Sequence, residues 1–263
     1  MLTPEILKAA LPALGEVEVY SEIDSTNRRA LTLAKEGAPD LTVVLADSQS
    51  RGRGRASRSF FSPPRTGIYL TLLTRPQCSP EEFPRLTLLA AVAAAEAIES
   101  VSDLRVGVKW VNDLRIGGRK VAGILTEGSF LPDGSPDYAV IGIGINVGEM
   151  CFPPELADIA TSVANEAGTA PDRDALTYAL LSRLLSRLSD FPGGDYLDAY
   201  RTRSVLTGSD VQVSRGDETF SARVTGIGSK GELLLRLPSG EPLSLSSGEI
   251  IHVTPTAAQR EAK

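Results

Sequence analysis

Histidine, cysteine and tryptophan are nearly missing from this chain. Its 263 residues include one histidine, two cysteines and one tryptophan, and aromatics make up 5%. The single histidine, His252, closes the apolar run Ile250-Ile251-His252-Val253, where a structural place suits it better than a catalytic one. A Ser-His-Asp or Cys-His nucleophile therefore has no base to work with. Cys78 and Cys151 have no CxxC spacing and no neighbouring histidine, which excludes a zinc site or a disulfide framework. Long apolar runs are lacking too. Met1-Leu2-Thr3-Pro4-Glu5 has neither the basic start nor the apolar stretch of a signal peptide, and the alanine-rich run near residues 88–98 is broken by Glu96. A cytoplasmic protein away from the membrane is expected. With a net charge of −6, a broad basic face for a nucleic-acid duplex is lacking as well.

One long window lacks negative charge. Between Ser48 and Pro80 there is no acidic residue, and there are six arginines. Its centre is Gly52-Arg53-Gly54-Arg55-Ala56-Ser57-Arg58. Glycines let a backbone approach an anion closely, and arginines offer forked donors to carboxylate or phosphate. A local cationic loop in an acidic protein points to a small anionic ligand. RG-rich segments also occur as disordered RNA-contacting tails. Here, however, the loop lies between Thr42–Ala46 and Gly67–Leu73, both of which read as strands, so it is held as active-site loops are.

Hydrophobic content of 42% and charged content of 23% suit a folded protein with one large domain and one small one. Ser25-Thr26-Asn27 opens a helix that Gly37 closes; a second helix covers about Arg85–Glu99, and a third, about Asp174–Asp190, lines up Leu176, Leu180, Leu184 and Leu188. Strands are expected at 17–20, 42–46, 67–73, 104–110, 121–127 and 138–147. Strands in runs with irregularly placed helices indicate an α+β mixed sheet with flanking helices. After Arg203 short alternating strands separated by tight turns imply a small SH3-like barrel. The expected organisation is a catalytic domain over 1–203, a small C-terminal domain over 204–255 and a frayed tail over 256–263.

Three further elements place polar and small residues where apolar strands end: Lys109-Trp110-Val111-Asn112-Asp113, Arg119-Lys120-Val121-Ala122-Gly123-Ile124-Leu125 and Gly142-Ile143-Gly144-Ile145-Asn146-Val147. Alternation puts Gly142, Gly144 and Asn146 on one face, with room for a flat ligand against the sheet. Singly, each has an ordinary explanation: a strand-to-turn boundary at Asn112-Asp113, a hairpin at Gly117-Gly118, close sheet packing at the glycines.

Together with Ser25-Thr26-Asn27, Gln49 and Gly52-Arg53-Gly54-Arg55, these elements resemble the biotin–protein ligases in order and spacing, from about Ser21 to Val253. Ala160-Thr161-Ser162-Val163 resembles a continuation of that family's phosphate-side loop. The resemblance implies a class II synthetase-like fold and a two-step reaction. Biotin's carboxylate attacks the α-phosphate of ATP, releasing pyrophosphate and giving biotinyl-AMP; a lysine of a biotin carboxyl carrier domain, of acetyl-CoA carboxylase or a related carboxylase, then takes the biotin. The first nucleophile is already ionised at neutral pH and needs no histidine. It also implies ATP and Mg²⁺, with no tightly bound prosthetic group.

Carried over residue by residue, Ser25, Thr26, Asn27 and Gln49 correspond to the biotin head-group contacts. Arg53, Gly54 and Arg55 correspond to the loop that closes over the acyl-phosphate, with Arg55 counted as catalytic and Arg58 and Phe60 toward ATP. Lys120 corresponds to the catalytic lysine between the biotin carboxylate and the α-phosphate. Lys109, Asn112, Asp113 and Asn146 fall on the ATP side, the last three toward magnesium. Gly123, Gly142 and Gly144 form the floor under biotin. Val111 stands where the family usually has proline, Phe60 where a tryptophan is common, and Arg51 where a small residue is usual. About twenty residues precede Ser25, too few for an operator-binding winged helix, so a ligase without a repressor role or DNA partner is expected. Homodimer formation through strand edges is left open. Lipoate ligases and octanoyltransferases are the nearest rivals, but they carry a Gly-Gly-Gly stretch followed by an aromatic, His and Asp where this chain has Gly52 to Arg58. A non-enzymatic RNA-binding module is the other alternative, and it would ignore ATP.

Overall fold

The protein is described by a computed structural model over residues 2–254; the tail expected at 256–263 lies outside the described residues. In chain order the elements are α1 (Pro4–Ala10), β1 (Val17–Tyr20), α2 (Thr26–Lys35), β2 (Thr42–Ala46), β3 (Gly67–Thr74), α3 (Arg85–Ser100), β4 (Gly107–Lys109), β5 (Asp113–Ile116), β6 (Arg119–Phe130) and β7 (Pro136–Asn146). There follow α4 (Val163–Ala167), α5 (Arg173–Ser189), α6 (Tyr196–Arg203) and β8 (Asp210–Arg215), β9 (Glu218–Ile227), β10 (Leu233–Arg236), β11 (Pro242–Leu245) and β12 (Glu249–Thr254).

The first seven strands form one sheet in the order β1-β2-β3-β7-β6-β5-β4. Only β1 and β2 run parallel, which makes the sheet mixed, as expected. Every residue of β3 is buried, because this strand is covered on both faces. One face is covered by α3, whose alanines let it lie close between the sheet and α5. The other face packs α2 through Ala30, Leu33 and Ala34 against Val44, Leu73 and Val140.

Two expectations change in detail. The strand expected over 104–110 is confined to Gly107–Lys109, and the presumed turn boundary at Asp113 opens a separate strand, β5. The reason is the Gly117-Gly118 hairpin, whose φ angles of 56° and 84° suit a two-residue turn and return the chain directly into β6. On α5, Leu176, Leu180 and Leu184 are buried while Leu188 is half-buried. Helix α6 was not foreseen; Tyr196 and Tyr200, four residues apart, are its buried side.

The last five strands form an antiparallel sheet in the order β11-β10-β9-β8-β12, with β11 and β12 as its edges. Its buried Val211, Val213, Val224, Leu233 and Leu235 belong to the same continuous core as Leu88 and Trp110. Polar contacts tie this part to the preceding elements: Trp110 Nε1, just after β4, donates to the Gly231 carbonyl at 3.0 Å and Arg201 Nε, on α6, to that of Ile227 at 3.0 Å. No helix among the described residues is long and apolar enough to cross a membrane.

Candidate active site

A cavity of about 710 Å³ opens where the start of α2, the arginine loop, the ends of β4 to β7 and the edge strand β12 converge. It is lined by Ser25, Thr26, Asn27, Gln49, Arg53, Gly54, Arg55, Arg58, Phe60, Lys109, Asn112, Asp113, Lys120, Gly123, Gly142, Gly144 and Asn146, whereas of the expected phosphate-side loop only Ala160 reaches it and Thr161, Ser162 and Val163 are buried behind. His252 is exposed on β12 and is not among the lining residues. Cys78 is half-buried and Cys151 exposed, and both are free thiols.

At one end the polar set is neutral, with Ser25, Thr26 and Asn27 buried and Gln49 half-buried. Ser25 caps α2 by position, yet its hydroxyl bonds none of the helix N–H groups. Gln49 Oε1 instead accepts from Thr26 N at 2.9 Å and Thr26 Oγ1 at 3.1 Å, while Gln49 Nε2 donates to Ser62 Oγ at 3.0 Å. The Thr71 hydroxyl lies 2.7 Å from Asn27 Oδ1, and Asn27 Nδ2 donates to Leu125 O at 3.2 Å and Glu127 Oε2 at 3.0 Å. Asn27 has therefore spent both N–H bonds inside the protein and keeps one acceptor lone pair.

The glycines of β7 serve the protein's own side chains. A methyl on Gly142 would stand 1.8 Å from Asn27 Oδ1, and one on Gly144 2.5 Å from the Phe60 ring. The space above this strand, read from the sequence as room for a ligand, is thus filled at these two positions by Asn27 and Phe60.

The arginine loop is a tight excursion. Phe60 N donates to Gly52 O at 2.9 Å and Gly54 N to Arg58 O at 2.7 Å. At its tip Ala56 and Ser57 have φ of 51° and 61°, a left-handed conformation that costs a non-glycine residue roughly 1–2 kcal/mol. Each arginine takes a different partner. Arg53 forms a two-pronged pair with Glu127 at 2.9 Å, Arg55 Nη1 donates to Asn112 Oδ1 at 3.2 Å, and Arg58 pairs with Glu249 of β12. Arg51 contributes its backbone N–H to Asp24 O at 2.9 Å; nothing in the structure explains its side chain.

At the other end Lys120 Nζ lies 2.6 Å from Asp113 Oδ1. The lysine backbone is fixed on both sides, with N donating to Ile159 O and O accepting from Thr161 N, each at 2.8 Å. Asn112 Nδ2 donates to Ile124 O at 2.8 Å, which orients its oxygen toward Arg55. Tyr200 holds the preceding peptide by donating to Val111 O at 3.1 Å, and burial pushes its phenol far above the usual tyrosine value. The Trp110–Val111 peptide is cis. Lys109 Nζ donates to Ile250 O at 2.8 Å; burial, and then the charge of Arg115, lowers its pKa below that of an ordinary lysine, against the pull of Asp113 and Glu249. Arg55, Lys109 and Arg115 are thus hydrogen-bonded to neutral acceptors, Arg115 to Gly118 O at 2.5 Å. Cations left without a carboxylate partner around one cavity favour a polyanionic ligand.

The described residues contain no group of three His, Cys, Asp or Glu that could cage a metal. They do contain a buried acceptor without a partner, Asn146 Oδ1, whose orientation is set by Nδ2 donating to Thr161 O at 2.9 Å. One carboxylate, Asp113, and one such amide oxygen suit an ion brought in on nucleotide phosphates.

Several residues that line this site or support its lining were missed in the sequence. Thr71, Ser62 and Glu127 sit on strands or loops without motif, and Arg115 lay hidden in an unrecognised strand. Glu249, Ile250 and Ile251 enter from the small domain, and no local signal could have brought them there.

Residues 19–146 match the sequence model of the Biotin/lipoate A/B protein ligase family, and residues 207–253 match the Biotin protein ligase C terminal domain. The chain is 36% identical to the bifunctional ligase/repressor BirA of Bacillus spizizenii over 233 residues, covering 86% of this chain and 71% of that one. It is 33% identical to the biotin–[acetyl-CoA-carboxylase] ligase of Paracoccus denitrificans, over 84% of this chain and 95% of that protein. Its fold superposes on the biotin protein ligase of Aquifex aeolicus in complex with biotin and ATP with a TM-score of 0.76, at 28% identity, over 91% of this chain and 99% of that one. The chain belongs to the biotin–protein ligases, which activate biotin with ATP and transfer it to a protein lysine.

Proposed function

We propose that both half-reactions take place over Lys120, with the ureido ring of biotin at the start of α2 and the ATP phosphates toward β4, β5 and β12. One observation carries this reading. The Lys120–Asp113 pair lies in a single cavity with a neutral polar set at one end and three cations on neutral acceptors at the other.

In the first step a biotin carboxylate oxygen attacks the α-phosphorus, the bond to the bridging oxygen breaks, and pyrophosphate leaves with that electron pair. Lys120 exchanges Asp113 for the oxygens between the carboxylate and the α-phosphate, neutralising charge where it gathers. Arg55 and Arg58 cover the anhydride from the loop side, and Lys109 and Arg115 neutralise the leaving pyrophosphate. Asp113, Asn146 and, once Arg55 turns to the ligand, Asn112 would hold magnesium, which supplies further neutralisation of the phosphate oxygens. Ser25, Thr26 and Gln49 bond the ureido group directly. In the second step the neutral amine of a carrier lysine attacks the acyl carbon, AMP departs and the amide loses a proton. The carrier is a biotin carboxyl carrier domain in the cytoplasm. A net charge of −6 speaks against a DNA partner.

Two variants test the division of roles. Arg55→Gly should let biotinyl-AMP escape, raising biotin labelling of a bystander protein about tenfold or more, since a hydrogen bond to a charged group contributes about 1.5–3 kcal/mol. Labelling confined to the carrier domain, at the wild-type level, would remove Arg55 from that role. Lys109 has a lowered pKa, so it loses its charge at less alkaline pH than an ordinary lysine. A phosphate-binding Lys109 therefore makes KM for ATP climb early as pH rises. In Lys109→Arg, whose guanidinium stays charged, that climb should flatten. Parallel pH profiles for the two proteins would contradict the assignment.

A further inference from the structure

We infer that Glu127 is a positioning residue of the ligase, setting the arginine loop and the biotin pocket in register through one carboxylate. This rests on the proposed location of the ureido ring at the start of α2. On β6, Gly123, Leu125 and Glu127 point to the same side, as alternation requires. Gly123 and Leu125 line the main cavity; Glu127 lies beyond it, beneath the loop, among Ser50, Gly52, Arg53 and Ser59. It therefore acts through other residues and not on the substrate.

Its two oxygens make three bonds. Oε1 accepts from Arg53 Nη2 at 2.9 Å, and Oε2 accepts both from Arg53 Nη1 at 2.9 Å and from Asn27 Nδ2 at 3.0 Å. Asn27 cannot shift to follow the loop. Its second N–H is held by Leu125 O at 3.2 Å, its oxygen by Thr71 at 2.7 Å, and its side chain fills the space over Gly142. Arg53 belongs to the loop whose strained tip is Ala56-Ser57, so its guanidinium is the part that must be held. The shared oxygen makes the buried wall of the pocket the reference point for the loop.

The pair is partly exposed, with the Arg53 side chain at 39% and Glu127 at 25%, so its contribution is geometric more than energetic. A two-pronged guanidinium–carboxylate pair fixes a plane, which a single hydrogen bond does not. Glutamine cannot replace it. Whichever way its amide turns, the NH₂ faces an N–H of Arg53 or of Asn27, donor against donor. Aspartate keeps the charge but is one methylene shorter.

The test uses the full chain and the variants Glu127→Gln, Glu127→Asp, Arg53→Ala and the Arg53→Ala/Glu127→Gln double variant. Biotin-dependent exchange of pyrophosphate into ATP is measured for each, with labelling of a bystander protein and trypsin cleavage within the loop of the unliganded protein. Glu127→Gln should raise the biotin KM about tenfold and increase bystander labelling, while KM for ATP stays within about twofold, with Glu127→Asp in between. The double variant should be no worse than Arg53→Ala, as expected of residues acting as one unit. Trypsin should cut the loop faster in Glu127→Gln. A Glu127→Gln protein with wild-type biotin KM and wild-type labelling, beside an active wild type, would overturn the assignment. If the wild type itself exchanges no pyrophosphate with biotin, the proposed function falls. The trypsin result then decides the question of Glu127 alone, and unchanged cleavage would reject it.

Discussion

Lys120→Ala should lower biotin-dependent adenylate formation by about 10²–10³-fold, the size of the effect when one positioned donor to a developing charge is removed. The lysine does little for the fold. Its ion pair with Asp113 is partly exposed, at 31% and 23% for the two side chains, and pairs of that kind contribute less than about 1 kcal/mol. Its backbone bonds to Ile159 and Thr161 survive truncation to alanine. The variant should therefore melt close to the wild type and still bind biotin at the start of α2, while single-turnover formation of biotinyl-AMP collapses. A Lys120→Ala protein that forms the adenylate within about threefold of the wild-type rate would remove Lys120 from the reaction, since 1.4 kcal/mol corresponds to a factor of ten.

Gly142→Ala should be nearly as damaging, for a different reason. The added methyl would stand 1.8 Å from Asn27 Oδ1, a distance that no packing accommodates. Asn27 has nowhere to go, being bonded to Thr71, Leu125 and Glu127. Overpacking of this kind costs about 1–3 kcal/mol, and each buried polar group left unpaired adds about 1–3 kcal/mol more. The expected outcome is a protein destabilised by about 2–6 kcal/mol that, where folded, has lost the biotin end of its cavity. Thermal unfolding and biotin titration check it. A Gly142→Ala protein of wild-type stability and biotin affinity would show that Asn27 is not the fixed wall described here.

Gly142 also shows where sequence reading reached its limit. Alternation along β7 identified the correct face, and the missing side chains did signal close approach. What approaches is the side chain of Asn27 and, at Gly144, the ring of Phe60, residues far away in the chain whose arrival no local pattern announces. The residues of the cavity were legible chiefly through the family resemblance; by itself, composition marked only the acid-free arginine loop and the small and polar residues at strand ends. The contacts closing the cavity were not legible. Lys109, Trp110 and Arg201 bond the carbonyls of Ile250, Gly231 and Ile227, and a carbonyl has no sequence signature. The hairpin at Gly117-Gly118 was visible, but a strand as short as β5 carries too few residues to display its period, and Arg115 went unnoticed with it. Glu127 is a single acidic residue on a strand, indistinguishable from a solvated one until Arg53, 74 residues away, is seen beside it.

The central claim is that this cavity joins biotin to ATP by adenylation, and exchange of labelled pyrophosphate into ATP tests it most directly. With Mg²⁺, exchange should depend on biotin and be absent with lipoate or octanoate as the parallel acid. Exchange with lipoate or octanoate in place of biotin, or none with any of the three in folded protein, would contradict it.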